Sequence, residues 1–100
     1  MPHFMFKLLP PRASFAIDMN EEEKKLMQQH AAFWNDLLEK GTALVYGPVL
    51  DPKGTYGLAI IETDSEIEAK AVCENDPTIK AGLHTFELYP MYAFTAQQTS

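Results

Sequence analysis

The sequence predicts a single α+β domain whose elements follow the order β-α-β-β-α-β. Apolar and polar residues alternate in short runs near both ends of the chain, as in half-buried strands. A long segment between residues 20 and 41 has the apolar spacing of an amphipathic helix. A turn signature at residues 51–54 separates two further runs of β-forming residues. A chain of 100 residues is long enough for one domain and too short for two.

The first strand is predicted over residues 3–9. Every second residue from Phe4 to Leu8 is apolar, which places these side chains on one face of a strand. Two prolines at positions 10 and 11 end the strand, because neither can donate a hydrogen bond to a neighbouring strand. A loop is expected from there to residue 19.

The first helix is predicted from Asn20 to about Lys40. Asn20 is a good N-cap, the three glutamates that follow it suit the positive end of the helix dipole, and Gly41 suits the left-handed stop position. One apolar face of this helix should pack on the sheet. It carries Leu26, Phe33, Trp34 and Leu37, with His30 among them.

The middle of the chain predicts a hairpin. Residues 42–50 and 55–62 are rich in β-formers, and Asp51-Pro52-Lys53-Gly54 between them is typical of a type I turn. A second helix should begin at Ser65, which forms a capping box with Glu68. It should end before Pro77, because a residue that precedes proline is displaced from the α region. Its predicted apolar face is small and consists of Ile67, Ala71 and Val72.

A loop is expected at residues 78–82 and a last strand from His84 to Tyr89, where Phe86 and Leu88 alternate with polar residues. Pro90 places this strand at a sheet edge or a bend. The domain is predicted to span residues 1–95, followed by a polar C-terminal tail at residues 96–100.

This order is the split βαβ, or ferredoxin-like, pattern, with a four-stranded antiparallel sheet and both helices on one face. The face without helices should also be apolar, because the third strand offers Tyr56, Leu58 and Ile60 to one side and Ala59 and Ile61 to the other, and the first strand likewise has apolar residues on both sides. Exposed apolar patches of this kind mark interfaces. We therefore predict a homodimer in which two free sheet faces pack together as a dimeric α+β barrel.

The charge pattern argues against a nucleic-acid partner. The net charge is −6 and the eight basic residues are scattered, whereas phosphate binding needs clustered Lys and Arg. No run approaches the roughly 18 apolar residues that span a bilayer, and the N-terminus lacks the features of a signal peptide. We expect a cytoplasmic protein with no nucleic-acid and no membrane partner.

Metal and cofactor sites have no support in the sequence. Cys73 is the one cysteine and is expected to be a small buried residue. The three histidines lack the spacing of metal ligands, and His3 and His84 are interpreted as surface or interface residues. There is no phosphate-binding Gly-rich loop, nucleophile elbow or dinucleotide fingerprint. No cofactor and no metal are therefore predicted.

His30 and Asp76 are the candidates for chemistry. An imidazole among Leu, Phe and Trp side chains needs a polar partner: a backbone carbonyl if His30 is a core residue, or a carboxylate if it is a general base. Asp76 ends the second helix, where the dipole disfavours an anion, so it is either an Asp-Pro turn former or a carboxylate that another group compensates. Both helices lie on one sheet face, which allows the two side chains to approach each other.

A pocket is expected beside His30. Phe33, Trp34 and Tyr46 are candidates for an apolar lining. Gly47 and Pro48 close the second strand, and they form either a bulge or bend or the edge of that pocket.

Short motifs along the chain share their order and spacing with a known family. They are His30 ahead of Leu37-Leu38-Glu39-Lys40-Gly41, then Gly47-Pro48, Gly57, Ser65-Glu66, and Asp76-Pro77 followed by Ala81-Gly82. With this arrangement the chain resembles the YciI-like (YCII-related domain) family over nearly its whole length.

The resemblance implies ferredoxin-like subunits paired into dimers and a proposed His–Asp site, which corresponds to His30 and Asp76. A resembling branch eliminates chloride from a chlorinated hydroxyhydroquinone, which implies proton abstraction without a cofactor. Family members often carry an arginine one turn before the histidine, where this chain has Met27. This departure suggests a less charged substrate or lost activity, unless Arg12 supplies the charge from the loop.

These observations favour a cofactor-independent lyase or isomerase, dehydrochlorinase-like by resemblance, in which a His–Asp dyad transfers a proton on a small cyclic or aromatic substrate. The alternative is a small-ligand-binding or regulatory dimeric module without turnover. A third reading is a purely structural dimer in which His30 belongs to the core.

Overall fold

The computed structural model describes residues 1–96 and contains one four-stranded antiparallel sheet in the spatial order β2-β3-β1-β4. This confirms the predicted α+β fold and its ferredoxin-like topology. The predicted tail at residues 96–100 lies outside the described residues except for Ala96. The elements are β1 (His3–Leu9), α1 (Phe15–Asp18), α2 (Glu21–Lys40), β2 (Ala43–Val49), β3 (Tyr56–Glu62), α3 (Glu66–Glu74), α4 (Pro77–Lys80) and β4 (Thr85–Met91).

The core lies between the sheet and the helices, and the alternation in β1 builds its centre. β1 is a central strand, and its three inward side chains, Phe4, Phe6 and Leu8, are buried. Phe6 stacks on Trp34 of α2 with ring centroids 4.9 Å apart. Each such buried side chain contributes roughly 1.5–3 kcal/mol to the hydrophobic stabilisation of the fold. This packing fixes the position of α2 on the sheet.

Both ends of α2 follow the sequence signals. The Asn20 side chain accepts a hydrogen bond from the Glu23 backbone N–H, and the Glu23 carboxylate accepts one from the Asn20 N–H, which completes a capping box. Gly41 ends the helix with φ of 82°, a conformation that residues with a Cβ rarely adopt. His30 therefore lies in the middle of a well-capped helix.

The hairpin forms as predicted, but its β-bulge does not lie at Gly47-Pro48, where a bulge or bend was one of the two predictions. Gly47 and Pro48 pair regularly with β3, and the register shifts instead between Ala43 and Val45. Gly57 faces Leu8 of β1 so closely that a Cβ at this position would lie 3.0 Å from the Leu8 Cβ. Close approach of the two strands explains the glycine here.

Two predicted loops contain short helices. α1 lies within the segment after β1, and α4 begins directly after Asp76, which caps it with Pro77 at its first position. An Asp-Pro pair can end one helix and start the next, which explains why a loop prediction was wrong at residues 78–80.

The apolar face predicted for the second helix was wrong for two of its three residues, whereas the third, Val72, packs against the core as predicted. Ala69 and Cys73 of α3 are buried, whereas Ala71 is exposed and Ile67 is 83% exposed. The helix has too few apolar residues for their spacing to define a face, so packing against the sheet decided its orientation. The expectation of a buried Cys73 is confirmed.

The sheet face that points away from the helices carries an apolar row across all four strands. The pairing register places Val45, Ile60, Met5 and Tyr89 side by side.

Among residues 1–96, no helix is long and apolar enough to span a membrane.

Candidate active site

A cavity of about 300 Å³ lies between the α1 segment, α2 and the sheet. Most of its lining is apolar and includes Phe6, Leu8, Phe15 and Trp34, while His30 and His84 are the imidazoles in its wall. A volume near 300 Å³ is at the small end for ligand pockets. The cavity therefore suits a small and largely apolar molecule.

His30 contacts Asp76 at the wall of this cavity. The His30 Nδ1 and the Asp76 Oδ2 are 2.6 Å apart, which is a short hydrogen bond between an imidazole and a carboxylate. The His30 side chain keeps 14% of its surface exposed, and that of Asp76 keeps none. Because Nδ1 is occupied by Asp76, Nε2 is the ring nitrogen that remains for a ligand.

Asp76 accepts three further hydrogen bonds. The Trp34 indole N–H donates to its Oδ2 at 2.7 Å, and the backbone N–H and hydroxyl of Thr78 both donate to its Oδ1 at 2.8 Å. Burial alone would raise the pKa of Asp76, but the hydrogen bonds from His30, Trp34 and Thr78 and the His30 charge lower it below its ordinary value. The carboxylate is thus held ionised although it is fully buried.

The position of Asp76 answers the question that the sequence left open. It lies in the short connection between α3 and α4, and its side chain caps α4. The unfavourable end of α3 is compensated by four donors, and the same residue also makes the Asp-Pro turn. Asp76 therefore fills both predicted roles: it forms the Asp-Pro turn, and its carboxylate is the partner of His30.

The structure places four of the five predicted pocket residues in the cavity lining. They are Trp34, Tyr46, Gly47 and Pro48. Phe33 does not line the cavity. It lies one position before Trp34 on α2, so its side chain leaves the helix in a different direction and packs against the core, where the two rings meet edge-on with centroids 5.5 Å apart. Met27 also lines the cavity, so the place where family members often have an arginine is apolar here.

Arg12 does not supply the missing charge. Its guanidinium donates to both oxygens of Glu23, at 2.8 and 2.9 Å, and to the carboxylate of Asp18 at 2.8 Å. The pKa of Glu23 falls to about 2, first because of its hydrogen bonds with Arg12. These contacts tie α1 to the start of α2 and hold Phe15 against the cavity. Arg12 therefore stabilises the segment between β1 and α2 and does not belong to the cavity lining.

His84 is the site residue that the sequence reading missed. It was interpreted as a surface or interface residue, but it is only 4% exposed and lines the cavity. His84 alternates with Phe86 and Leu88, which pack on the core, and this alternation was the available signal. His3 is buried too, with its Nε2 3.0 Å from a Glu62 oxygen, at the far end of β1.

No cluster of three or more His, Cys, Asp or Glu side chains suited to a metal occurs in the part of the chain that the structure describes. Burial raises the pKa of the Cys73 thiol to about 12, with the Asp76 charge acting in the same direction, so this thiol is not a ready nucleophile.

The family model for the YCII-related domain matches residues 6–95. The chain belongs to the YCII-related domain family. No curated protein matches it. Among solved structures, this YCII-related protein is similar to the 5-chloro-2-hydroxyhydroquinone dehydrochlorinase of Burkholderia phenoliruptrix AC1100 in complex with 2,5-dihydroxybenzoquinone. The two share 22% identity with a TM-score of 0.65, over 98% of this chain and 99% of the other. This likeness establishes the shared fold.

Proposed function

We propose that this protein is a cofactor-independent enzyme, a lyase or isomerase, in which His30 removes a proton from a small cyclic or aromatic substrate. The observation that carries the proposal is the 2.6 Å contact between His30 and the buried Asp76 at the wall of an apolar cavity. The dehydrochlorinase of similar fold, whose name denotes elimination from a chlorinated ring compound, supports the reaction class.

The contact suggests a division of roles. With its Nδ1 proton donated to Asp76, the imidazole presents the Nε2 lone pair as a base. Asp76 orients the ring and stabilises the imidazolium that forms when Nε2 takes a proton. The hydrogen bonds from Trp34 and Thr78 hold the carboxylate in place, so its geometry does not depend on the substrate.

The cavity lining suggests the kind of substrate. Aromatic rings at Phe6, Phe15, Trp34 and Tyr46 favour a flat ring, and no Lys or Arg belongs to the lining among the described residues. We therefore propose a substrate without a carboxylate or phosphate group.

Proton abstraction is testable before the substrate is known. Hydroxylated and halogenated ring compounds are incubated with the protein in deuterium oxide, and loss of ring-proton signals is followed by NMR. We expect exchange with the wild type and a rate at least about a hundredfold lower with His30→Ala, since a general base contributes 10²–10⁴-fold. Gln29→Ala, at an exposed neighbouring position, should exchange like the wild type. Equal rates for His30→Ala and the wild type would refute the role of His30.

The second candidate is a binding or regulatory module that uses the same cavity without turnover. Its support is the small apolar cavity itself, which does not require a base. A compound that raises the melting temperature of the wild type and shows no deuterium exchange would favour this candidate over the enzyme.

We further propose that the protein is a cytoplasmic homodimer joined through the free sheet face, with no nucleic-acid or membrane partner. The apolar row of Val45, Ile60, Met5 and Tyr89 supports this dimer, because a sheet face that meets water is normally polar. Packing two such faces removes both rows from water and forms a two-sheet barrel.

The dimer predicts a charge-sensitive interface. Sedimentation of the wild type should give twice the 11.3 kDa chain mass, and Ile60→Glu should give a monomer, because two buried carboxylates would face each other. Ile67→Glu places the same substitution on the exposed surface of α3 and should leave the dimer intact. A monomeric wild type at micromolar concentration would contradict the proposal.

A further inference from the structure

Two imidazoles line the cavity, and the role proposed above uses only one of them. His84 directly precedes β4 and is 4% exposed. The rings of His84 and Phe15, a residue of α1, pack edge to face with centroids 4.9 Å apart. Each ring nitrogen of a buried histidine needs a hydrogen-bond partner, because an unpaired buried polar atom costs free energy.

The nitrogens of His84 are not equivalent. Nδ1 is buried and has no hydrogen-bond partner among residues 1–96. A buried donor without a partner is rarer in proteins than an acceptor without one, so the proton of the neutral ring belongs on Nε2. Nε2, on the other side of Cε1, is then the N–H donor. Unlike Nδ1, it is not one of the buried unpartnered atoms of the described residues, and His84 lines the cavity, so Nε2 is the nitrogen that we assign to a ligand.

The surroundings keep this imidazole neutral. Burial lowers the pKa of His84 to about 4, and the nearby charge of His30 acts in the same direction. The charges of Asp76 and Glu23 act in the opposite direction but do not outweigh burial. At neutral pH the ring therefore offers one N–H without a positive charge, as neutral histidines that polarise a substrate oxygen do.

We propose that His84 donates a hydrogen bond from Nε2 to the substrate oxygen that gains negative charge when His30 removes a proton. This inference rests on the proposed function and adds a substrate feature: a hydroxyl or carbonyl oxygen conjugated to the carbon that loses its proton. Among the other polar side chains in the lining, the Tyr46 hydroxyl already donates to Asn35.

The step balances without an oxidant or a metal. The C–H bond breaks, its proton goes to Nε2 of His30, and its electron pair moves through the conjugated system onto the oxygen. The oxyanion accepts the hydrogen bond from His84. The electron pair then returns either to take a proton at another carbon, which is isomerisation, or to expel a leaving group such as halide, which is elimination.

The contact can be measured by binding alone. The probe is 2,5-dihydroxybenzoquinone, whose ring carries four oxygens, and the reporter is the fluorescence of Trp34, the one tryptophan of the chain, which lines the cavity. We expect the Kd to rise about 10- to 100-fold in His84→Phe, which keeps a ring beside Phe15 but removes the donor. His84→Gln, which keeps an N–H donor, should bind within about threefold of the wild type.

His84→Phe also separates a ligand contact from a structural role. It removes a buried unpaired nitrogen, so its free energy of unfolding should equal or exceed that of the wild type while its Kd rises. Unchanged binding in a folded His84→Phe variant would overturn the proposal, and so would a wild type that does not bind the probe at millimolar concentration. Should a variant not fold, ¹⁵N NMR of the wild type decides: a proton on Nδ1 of His84 would overturn it.

The two proposals fail separately. His30→Ala should lose deuterium exchange yet still bind the probe through His84. If the wild type binds the probe in a His84-dependent way but exchanges no proton with any compound, the enzyme proposal fails and the hydrogen bond remains as a ligand contact. If exchange depends on His30 while His84→Phe exchanges and binds like the wild type, the role of His84 fails alone.

Discussion

Asp76→Ala is expected to lower the free energy of unfolding by about 3–5 kcal/mol. The substitution removes the one acceptor of four hydrogen bonds, from His30, Trp34 and both donors of Thr78. Trp34 and Thr78 are at most 1% exposed, so water cannot replace the lost acceptor without opening the structure. Urea unfolding followed by circular dichroism measures the effect, and Tm should fall by more than about 12 °C.

Asp76→Asn tests whether the fold needs both acceptor oxygens of the carboxylate or only a side chain of the same size. An amide offers one acceptor oxygen, so it can serve either the Thr78 donors or the pair from His30 and Trp34, and its NH₂ group faces the other pair. We expect a loss between that of Asp76→Ala and the wild type. Asp64→Ala, at an exposed position, should change the free energy of unfolding by less than about 0.5 kcal/mol. A loss below about 1 kcal/mol for Asp76→Ala would contradict the four-donor account.

His84 should make the protein less stable as the pH falls from about 6.5 to about 4. The pKa of His84 is about 4 in the folded protein against 6.5 for an unperturbed histidine. In this window the unfolded chain binds a proton that the folded chain does not, so the unfolded state gains stability as pH decreases. The stability is fully present above pH 6.5, and about 3 kcal/mol is lost by pH 4.

The carboxylates lose their contributions at lower pH, which keeps the effects apart. The pKa of Glu23 is lowered to about 2 and that of Asp76 is also lowered, so both stabilise the fold above their ordinary pKa values and lose this effect as pH falls through the folded ones. Urea unfolding at intervals from pH 7 to pH 4 isolates His84 when it is compared with His84→Phe. The variant should show a flatter profile in this window, and parallel profiles would contradict the assignment.

Local sequence signals were sufficient where they act over a few residues. Asn20 and Gly41 set the ends of α2, and Asp51 to Gly54 set the hairpin turn, because capping and turn hydrogen bonds join near neighbours. The alternation around Phe4 to Leu8 gave the inner face of β1 for the same reason. The signal failed in α3, where so few residues are apolar that Ile67 was placed inside and Ala69 was overlooked.

The candidate site was only partly predictable. The helical spacing singled out His30 as a polar residue on an apolar face, and Asp76 drew attention because a helix end disfavours its charge. The contact between them joins positions 46 residues apart, and no local pattern encodes that distance. His84 carried a usable signal in its alternation with Phe86, but the position of α1, which covers it with Phe15, was not foreseen.

The sequence by itself determined the order of the elements, the ends of the long helix and the inner face of the first strand, since each depends on backbone preferences and periodicity within a few residues. The tertiary structure decided which polar groups share the cavity and which of them remain unpaired. Those outcomes depend on how helices and a loop distant in sequence pack over one sheet. This packing excludes water from Asp76 and leaves Nδ1 of His84 buried without a hydrogen-bond partner among the described residues.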